Sequence, residues 1–220
     1  MIHEPENVRS RRTRAALLAA TRQLIEESGF EAATMTAVAD HAGVSRRGVY
    51  LHFGSRAELM TALFDYVCDT EHLAESLQQV WTATDAVTAL DEWARHVARY
   101  HPRVLAVDLA AEWVRHADPD AAIHRQIVIR DQRAACHRLA RWLDAENRLA
   151  APWSMQSCAD MLWALMSSAM IKGLLQDCRW STKHYAERLG VLLRSTFLAA
   201  PAAKAVTART RTSAGRRVTP

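Results

Sequence analysis

The chain has 220 residues, 50% of them hydrophobic and 24% charged, with only 7 glycines and 6 prolines. That composition supports a sizeable core and excludes a disordered, collagen-like or turn-rich all-β chain. The net charge of +4 gathers at the two ends: residues 1–56 carry eight Lys/Arg against six Asp/Glu, residues 57–200 fifteen against eighteen, and residues 201–220 five against none. An all-over polyanion binder is therefore excluded, while a basic front end with Arg9, Arg11, Arg12 and Arg14 stands out. The four cysteines form no C-x-x-C pair, and the opening Met1-Ile2-His3-Glu4 lacks the apolar stretch of a signal peptide. The longest strongly apolar run, residues 161–171, falls short of the roughly 20 residues a membrane helix needs. These features predict a cytoplasmic protein with no membrane partner.

Apolar residues recur at helical spacing along most of the chain, and 40 alanines favour helix throughout. A helix over about 11–28 places Leu17, Ala20, Leu24 and Ile25 on one stripe and stops at Gly29. Two short helices follow, about 35–42 with Thr34 as N-cap and Gly43 as stop, then about 46–53 with Ser45 as N-cap. Gly54 breaks the chain, and Ser55-Arg56-Ala57-Glu58 is a capping box opening a long helix that reaches about Val80. Helices are further predicted over 85–100, over 102–116 with Pro102 in its first turn, and over 118–147 behind Asp118-Pro119. The segment 154–178 is apolar nearly all round, so it must be covered on more than one side; the last helix spans about 182–199. Residues 201–220 read as a disordered basic tail.

The stretch 34–56 carries the most information. A helix-turn-helix needs a small residue between its helices, a glycine at the turn, apolar anchors inward and polar or cationic groups outward, so that its second helix can lie in a DNA major groove. Ala39, Gly43, Val44 and Val49 fill the inner slots, and Arg46, Arg47, Tyr50 and His52 fall outward. The same pattern also suits two short helices of an ordinary helical bundle, so on pattern alone both readings stay open.

Read continuously, residues 17–59 resemble the N-terminal DNA-binding domain of the TetR family of transcriptional regulators. The resemblance rests on the Ala42-Gly43-Val44-Ser45 turn, Tyr50-x-His52-Phe53 and the Ser55-Arg56-x-x-Leu59 helix start, in the family's order and spacing. It implies an all-α fold of about nine helices: an N-terminal three-helix DNA-binding domain with a helix-turn-helix, then a larger helical ligand-binding and dimerisation domain. The expected limits are a basic arm over 1–10, the DNA-binding domain over 11–71, the larger domain over 72–200 and the tail over 201–220. The resemblance further implies polar contacts near bases or phosphates from Thr36 and Ser45, an exposed recognition-helix start at Arg46 and Arg47, and phosphate contacts from Tyr50 and His52. Arg56 stands where the family usually has a lysine at another phosphate position. Leu51 departs from the pattern, and as an apolar group it can meet only something like a thymine methyl.

So short a recognition helix reads few base pairs, and specificity demands two copies about one DNA turn apart. The helices at about 154–178 and 182–199 are the expected homodimer interface, packing as an intermolecular four-helix bundle, the arrangement the family uses. All seven tryptophans lie after residue 80, and this apolar, aromatic domain can enclose a pocket for a hydrophobic or aromatic effector, the family's usual site. Trp93, Trp113, Trp163 and Met166 are its expected lining. The functional expectation is a ligand-responsive repressor of a palindromic operator, against the alternative of a constitutive helical DNA-binding or protein-interaction module without effector. No cofactor is expected. Catalysis has no motif behind it: His96 with Glu92 and His116 with Glu112 are spacing coincidences, and Cys136, His137, His124 and Asp131 define no metal set.

Overall fold

The computed structural model describes residues 8–117 and 119–199. They form ten α-helices in chain order: α1 Val8–Ser28, α2 Met35–Ala42, α3 Arg46–Tyr50, α4 Arg56–Thr70, α5 Leu73–Trp81, α6 Ala86–Val114, α7 Pro119–Ala145, α8 Met155–Ala164, α9 Ser168–Lys172 and α10 Thr182–Phe197. A 3-10 turn at Phe30–Ala32 and a π turn at Gly173–Asp177 complete them, and among the described residues there is no strand, only an isolated bridge between Leu149 and Leu198. The fold is all-α with an N-terminal helix-turn-helix, as the sequence predicts. The expected tail over 201–220 and most of the expected arm lie outside the described residues.

Two hydrophobic clusters organise the chain. The first gathers Leu17, Leu18 and Ile25 of α1, Val38 and Ala39 of α2, Val49 of α3 and Leu59, Leu63 and Val67 of α4. It also takes Tyr100, Val104, Val107 and Val114 from the later part of α6. The second is built from the earlier part of α6, around Leu90, Trp93 and Val97, with Leu139 and Leu143 of α7, Leu162 of α8 and Tyr185, Leu189, Leu193 and Phe197 of α10. A single helix, α6, therefore belongs to both cores.

Four boundaries differ from the sequence reading. The helix expected to run from Ser55 to about Val80 is two, α4 and α5, divided at Glu71 and His72, where His72 takes a left-handed φ of 57°. Tertiary ion pairs make that break: Glu71 binds Arg22 of α1 at 2.7 Å and Arg103 of α6 at 3.2 Å, and Arg103 also donates to the Glu71 carbonyl at 3.0 Å. Conversely, the helices expected at 85–100 and 102–116 are one, with Pro102 inside α6. The loss of one backbone donor is outweighed by packing on both sides, since α4, α5, α7, α9 and α10 all rest on α6. The apolar segment 154–178 is divided at residues 165–167 into α8 and α9, and the Ser168 hydroxyl donates to the buried Asp108 carboxylate of α6. Finally, α1 begins at Val8 and not at about 11, so Arg9 lies on a helical turn with Arg11, Arg12 and Arg14.

Candidate nucleic-acid interface and core cavity

α2 and α3 form as their caps dictate. Thr34 Oγ1 accepts from Ala37 N at 3.1 Å and Ser45 Oγ accepts from Gly48 N at 3.1 Å, each satisfying an orphan donor of a first helical turn. Between them Gly43 adopts φ 67°, and the Val44 and Gly43 amides donate to the Ala39 and Asp40 carbonyls at 3.0 and 3.2 Å, a closing pattern that suits a glycine. Val38, Ala39, Val49 and Phe53 are sealed in the first core. On the opposite face Thr36, Ser45, Arg46, Arg47 and Tyr50 are exposed together, with His52 half-buried beside them. The Arg46 guanidinium lies 5.7 Å from the Tyr50 ring centre, Leu51 at the helix end is exposed, and Arg14 of α1 covers Phe53 at 4.9 Å. Six of the seven expected DNA-contact residues thus share one surface.

Arg56, the seventh, is differently employed. Its Nε donates to the Ala33 carbonyl at 2.9 Å, its Nη2 donates to the Phe30 carbonyl, and its guanidinium lies 3.9 Å from the Phe30 ring centre. Phe30 in turn meets Trp113 of α6, with ring centres 4.7 Å apart. Arg56 is therefore a staple across the loop between α1 and α2, with two of its five N–H donors on backbone carbonyls and Nη1 4.0 Å from Glu31.

A cavity of about 270 Å³ is bounded by α4, α5, α6 and α7. Phe64 and Cys68 of α4, Trp93, His96 and Tyr100 of α6, and Met166 line it. Trp163 lines a neighbouring groove that shares Met166, His101 and Asp108 with the cavity, whereas Trp113 is 53% exposed beside Phe30 at the foot of α1. Of the four residues expected to line one pocket, the structure brings Trp93 and Met166 together, leaves Trp163 adjacent and sets Trp113 apart. Sequence reasoning missed His96, Tyr100 and His101; their i, i+4 and i, i+5 spacing on one helix was the available signal.

Electrostatics inside the cavity are one-sided. Asp65, Asp108 and Asp131 contribute to its wall while no lysine or arginine does. Asp108 is held by Arg125 at 2.7 Å, and Arg125 reaches Glu112 at 3.1 Å. Burial pulls the imidazole pKa of His96 down to about 3 and that of His101 to about 4, so both are neutral near pH 7. Tyr100 donates to Cys68 Sγ at 3.3 Å, and burial raises the Cys68 thiol. Glu92, spaced to meet His96, instead pairs with Arg95 at 2.9 Å and Arg99 at 3.2 Å. Among the described residues no group of three or more His, Cys, Asp or Glu could hold a metal, and Cys136 is buried against Met166, with sulfurs 3.7 Å apart. No single described helix is long and apolar enough to cross a membrane.

Residues 17–63 match the family described as bacterial regulatory proteins, tetR family. The HTH-type transcriptional regulator TtgR of Pseudomonas putida is 37% identical over 65 residues, 29% of this chain and 31% of that protein, so the match spans about a third of the relative. Among solved structures, a putative transcriptional regulator from Saccharomonospora viridis in complex with choline superposes with a TM-score of 0.74 at 14% identity, covering 86% of this chain and all of that one. A putative TetR-family transcriptional regulator from Rhodococcus sp. gives 0.62 at 20% identity, covering 84% and 97%. The protein is an all-helical one with an N-terminal helix-turn-helix. Over residues 17–63 it matches the TetR family of bacterial regulatory proteins.

Proposed function

We propose that the protein regulates transcription as a homodimer, repressing from a palindromic operator read by α2 and α3 and leaving it when a hydrophobic or aromatic small molecule fills the cavity. The observation that carries this reading is the exposed face of Thr36, Ser45, Arg46, Arg47, Tyr50 and His52 standing on a turn whose inner face is sealed. Arg46 or Arg47 is suited to a bidentate contact with guanine, and Tyr50 and His52 to phosphates that fix register without reading sequence. Leu51 is positioned for an apolar contact with a thymine methyl.

Dimerisation is supported by apolar side chains left open on α8 and α10: Met161 is 39% exposed, Val191 56% and Leu192 44%. Two copies of each helix would bury them in a four-helix bundle. Ligand response is supported by α4, which begins in the helix-turn-helix core with Ala57 and Leu59 and lines the cavity further along with Phe64 and Cys68. An occupant favouring one position of α4 shifts DNA affinity by its differential affinity for the two arrangements, typically about 1–3 kcal/mol. The solved relative that carries choline supports a small-molecule site in this fold. Selection of bound duplexes from a random pool tests the reading at its root: palindromic winners with steep salt dependence are expected, and recovery of no preferred sequence at any salt concentration overturns it.

A further inference from the structure

Four groups around His96 settle its proton. His96 Nδ1 lies 2.9 Å from Ser76 Oγ of α5. The same Oγ receives Arg99 Nε at 3.2 Å and Arg99 Nη2 at 3.0 Å. A guanidinium only donates, and a serine hydroxyl has two acceptor lone pairs and one proton. With both lone pairs met by Arg99, the Ser76 proton is the group left to face the imidazole, so Nδ1 accepts it. An imidazole that accepts at Nδ1 and stays neutral carries its own proton at Nε2. Arg99 is anchored in turn by Glu92 at 3.2 Å, which fixes the direction of the relay. Tyr100 stacks on the ring at 5.6 Å with planes 12° apart, so the imidazole has little freedom to turn over.

Where that proton points decides what the cavity accepts. His96 lines the cavity beside His101, His124 and Gln132, and among the described residues no protein group bonds its Nε2, while the His124 Nε2 of the same wall is buried and without a hydrogen-bond partner. We infer that Arg99 and Ser76 hold His96 as the inward hydrogen-bond donor of the cavity, and that the cavity selects uncharged aromatic molecules bearing a hydrogen-bond acceptor. This deepens the effector-site reading given above and rests on it for biological meaning, although the chemistry stands by itself.

Each competing ligand charge meets an obstacle in the wall. A carboxylate ligand finds no lysine or arginine in the wall, and finds Asp65, Asp108 and Asp131 there. An ammonium finds Asp108 already held by Arg125 and Ser168 and Asp131 paired with Arg130 at 2.9 Å, so that of the three wall aspartates only Asp65, 68% exposed and screened by water, is left to meet it. A buried charge without a partner is costly, whereas a ketone or ether oxygen replaces a water on Nε2 at small expense. The aromatic wall of Phe64, Trp93 and Tyr100 favours a flat apolar body, and about 270 Å³ limits it to roughly two fused rings.

The test uses four probes of one shape and the full-length protein without DNA. These are 2-acetonaphthone, 2-ethylnaphthalene, 2-naphthoate and 2-naphthylmethylammonium, titrated by calorimetry and by quenching of tryptophan fluorescence. The ketone is expected to bind about tenfold or more tighter than the carboxylate or the ammonium. His96→Phe is expected to weaken the ketone by about five- to tenfold while leaving 2-ethylnaphthalene within about twofold, the fingerprint of one lost hydrogen bond. In parallel, ¹⁵N-histidine spectra of the wild type, assigned through His96→Phe, should give a protonated Nε2 and an unprotonated Nδ1 at pH 7. Ser76→Ala should turn this into a mixture of tautomers. A protonated Nδ1, a doubly protonated ring, or tighter binding of either charged probe overturns the inference, even if the variants fold poorly. Binding of the ketone without any effect on operator affinity refutes the effector reading alone and leaves the ligand class intact.

Discussion

Replacing Arg56 by alanine separates the role that the TetR resemblance implies from the one the structure shows. A phosphate contact predicts weaker binding to every DNA sequence with unchanged stability. A staple predicts the reverse. Arg56 makes two charge-assisted hydrogen bonds, to the carbonyls of Ala33 and Phe30, and covers the Phe30 ring at 3.9 Å. Bonds of that type contribute about 1.5–3 kcal/mol each when buried, and a cation over an aromatic face about 0.5–1 kcal/mol at an accessible site. The side chain keeps 30% of its surface exposed, so water reclaims part of both carbonyls once the guanidinium is gone. Each figure is therefore discounted below its lower end, and the expected loss is about 2–3 kcal/mol. For a chain of this length that corresponds to a fall in Tm of roughly 5–10 °C. Arg56→Lys should recover less than half of it, because an ammonium cannot fork between two carbonyls while lying flat on a ring. Urea unfolding followed by tryptophan fluorescence at matched protomer concentration measures this directly. An unchanged midpoint together with a uniform loss of DNA affinity would refute the staple and restore the phosphate contact.

Three other outcomes are expected. Arg46→Ala and Arg47→Ala should differ in kind from Tyr50→Ala: one arginine variant relaxes base preference at a single operator position, whereas Tyr50→Ala weakens all sequences alike, and binding measured across a library of single-base variants distinguishes them. Gly43→Ala should cost about 1–2 kcal/mol through its left-handed φ of 67° alone, since no atom lies within 4 Å of the added methyl, and Gly43→Asn should cost less; equal stability of all three by urea unfolding would contradict this. Stability should also depend on acid. His96 and His101, with pKa values of about 3 and about 4 in the folded protein against 6.5 ordinarily, leave the unfolded chain to bind protons first, so stability is full above about 6.5 and declines as pH falls toward 4. The slope is up to about 1.4 kcal/mol per pH unit for each histidine. His96 faces Arg99 and His101, and His101 faces Asp108 and Arg125, so His96→Phe should flatten only its own share; an identical acid profile in that variant would count against a neutral His96.

The helix-turn-helix was legible because everything that makes it is local. Thr34 and Ser45 cap within three residues of themselves, and Gly43 closes α2 with the amide that follows it. Val38, Val49 and Phe53 needed only a helical period to be turned inward. The loop contacts of Arg56 were hidden for the opposite reason. Its partners lie 23 and 26 residues earlier, in a turn whose carbonyls point at the guanidinium only after α1 and α4 have docked. The division of α4 from α5 is hidden in the same way, since Glu71 responds to Arg22 and Arg103 from two other helices and carries no glycine or proline to announce a stop.

Pro102 shows how far tertiary packing can override a strong local signal, and the override bears on function. Had the chain broken there, as proline normally demands, the two cores would have been built on separate helices free to move independently. Instead Leu90, Trp93 and Val97 stand in one core while Tyr100, Val104 and Val107 stand in the other on the same continuous rod. The cavity touches that rod from Trp93 to Asp108, across the very turns where it passes from one core to the other. A molecule entering there meets α6 at its junction and α4 at Phe64 and Cys68, and α4 leads directly back to the residues beneath α3. Packed helices move as units between discrete arrangements and do not deform continuously, so an occupant that shifts α4 against α6 by a fraction of an ångström reorients the recognition surface through rigid elements, with no need for a flexible relay.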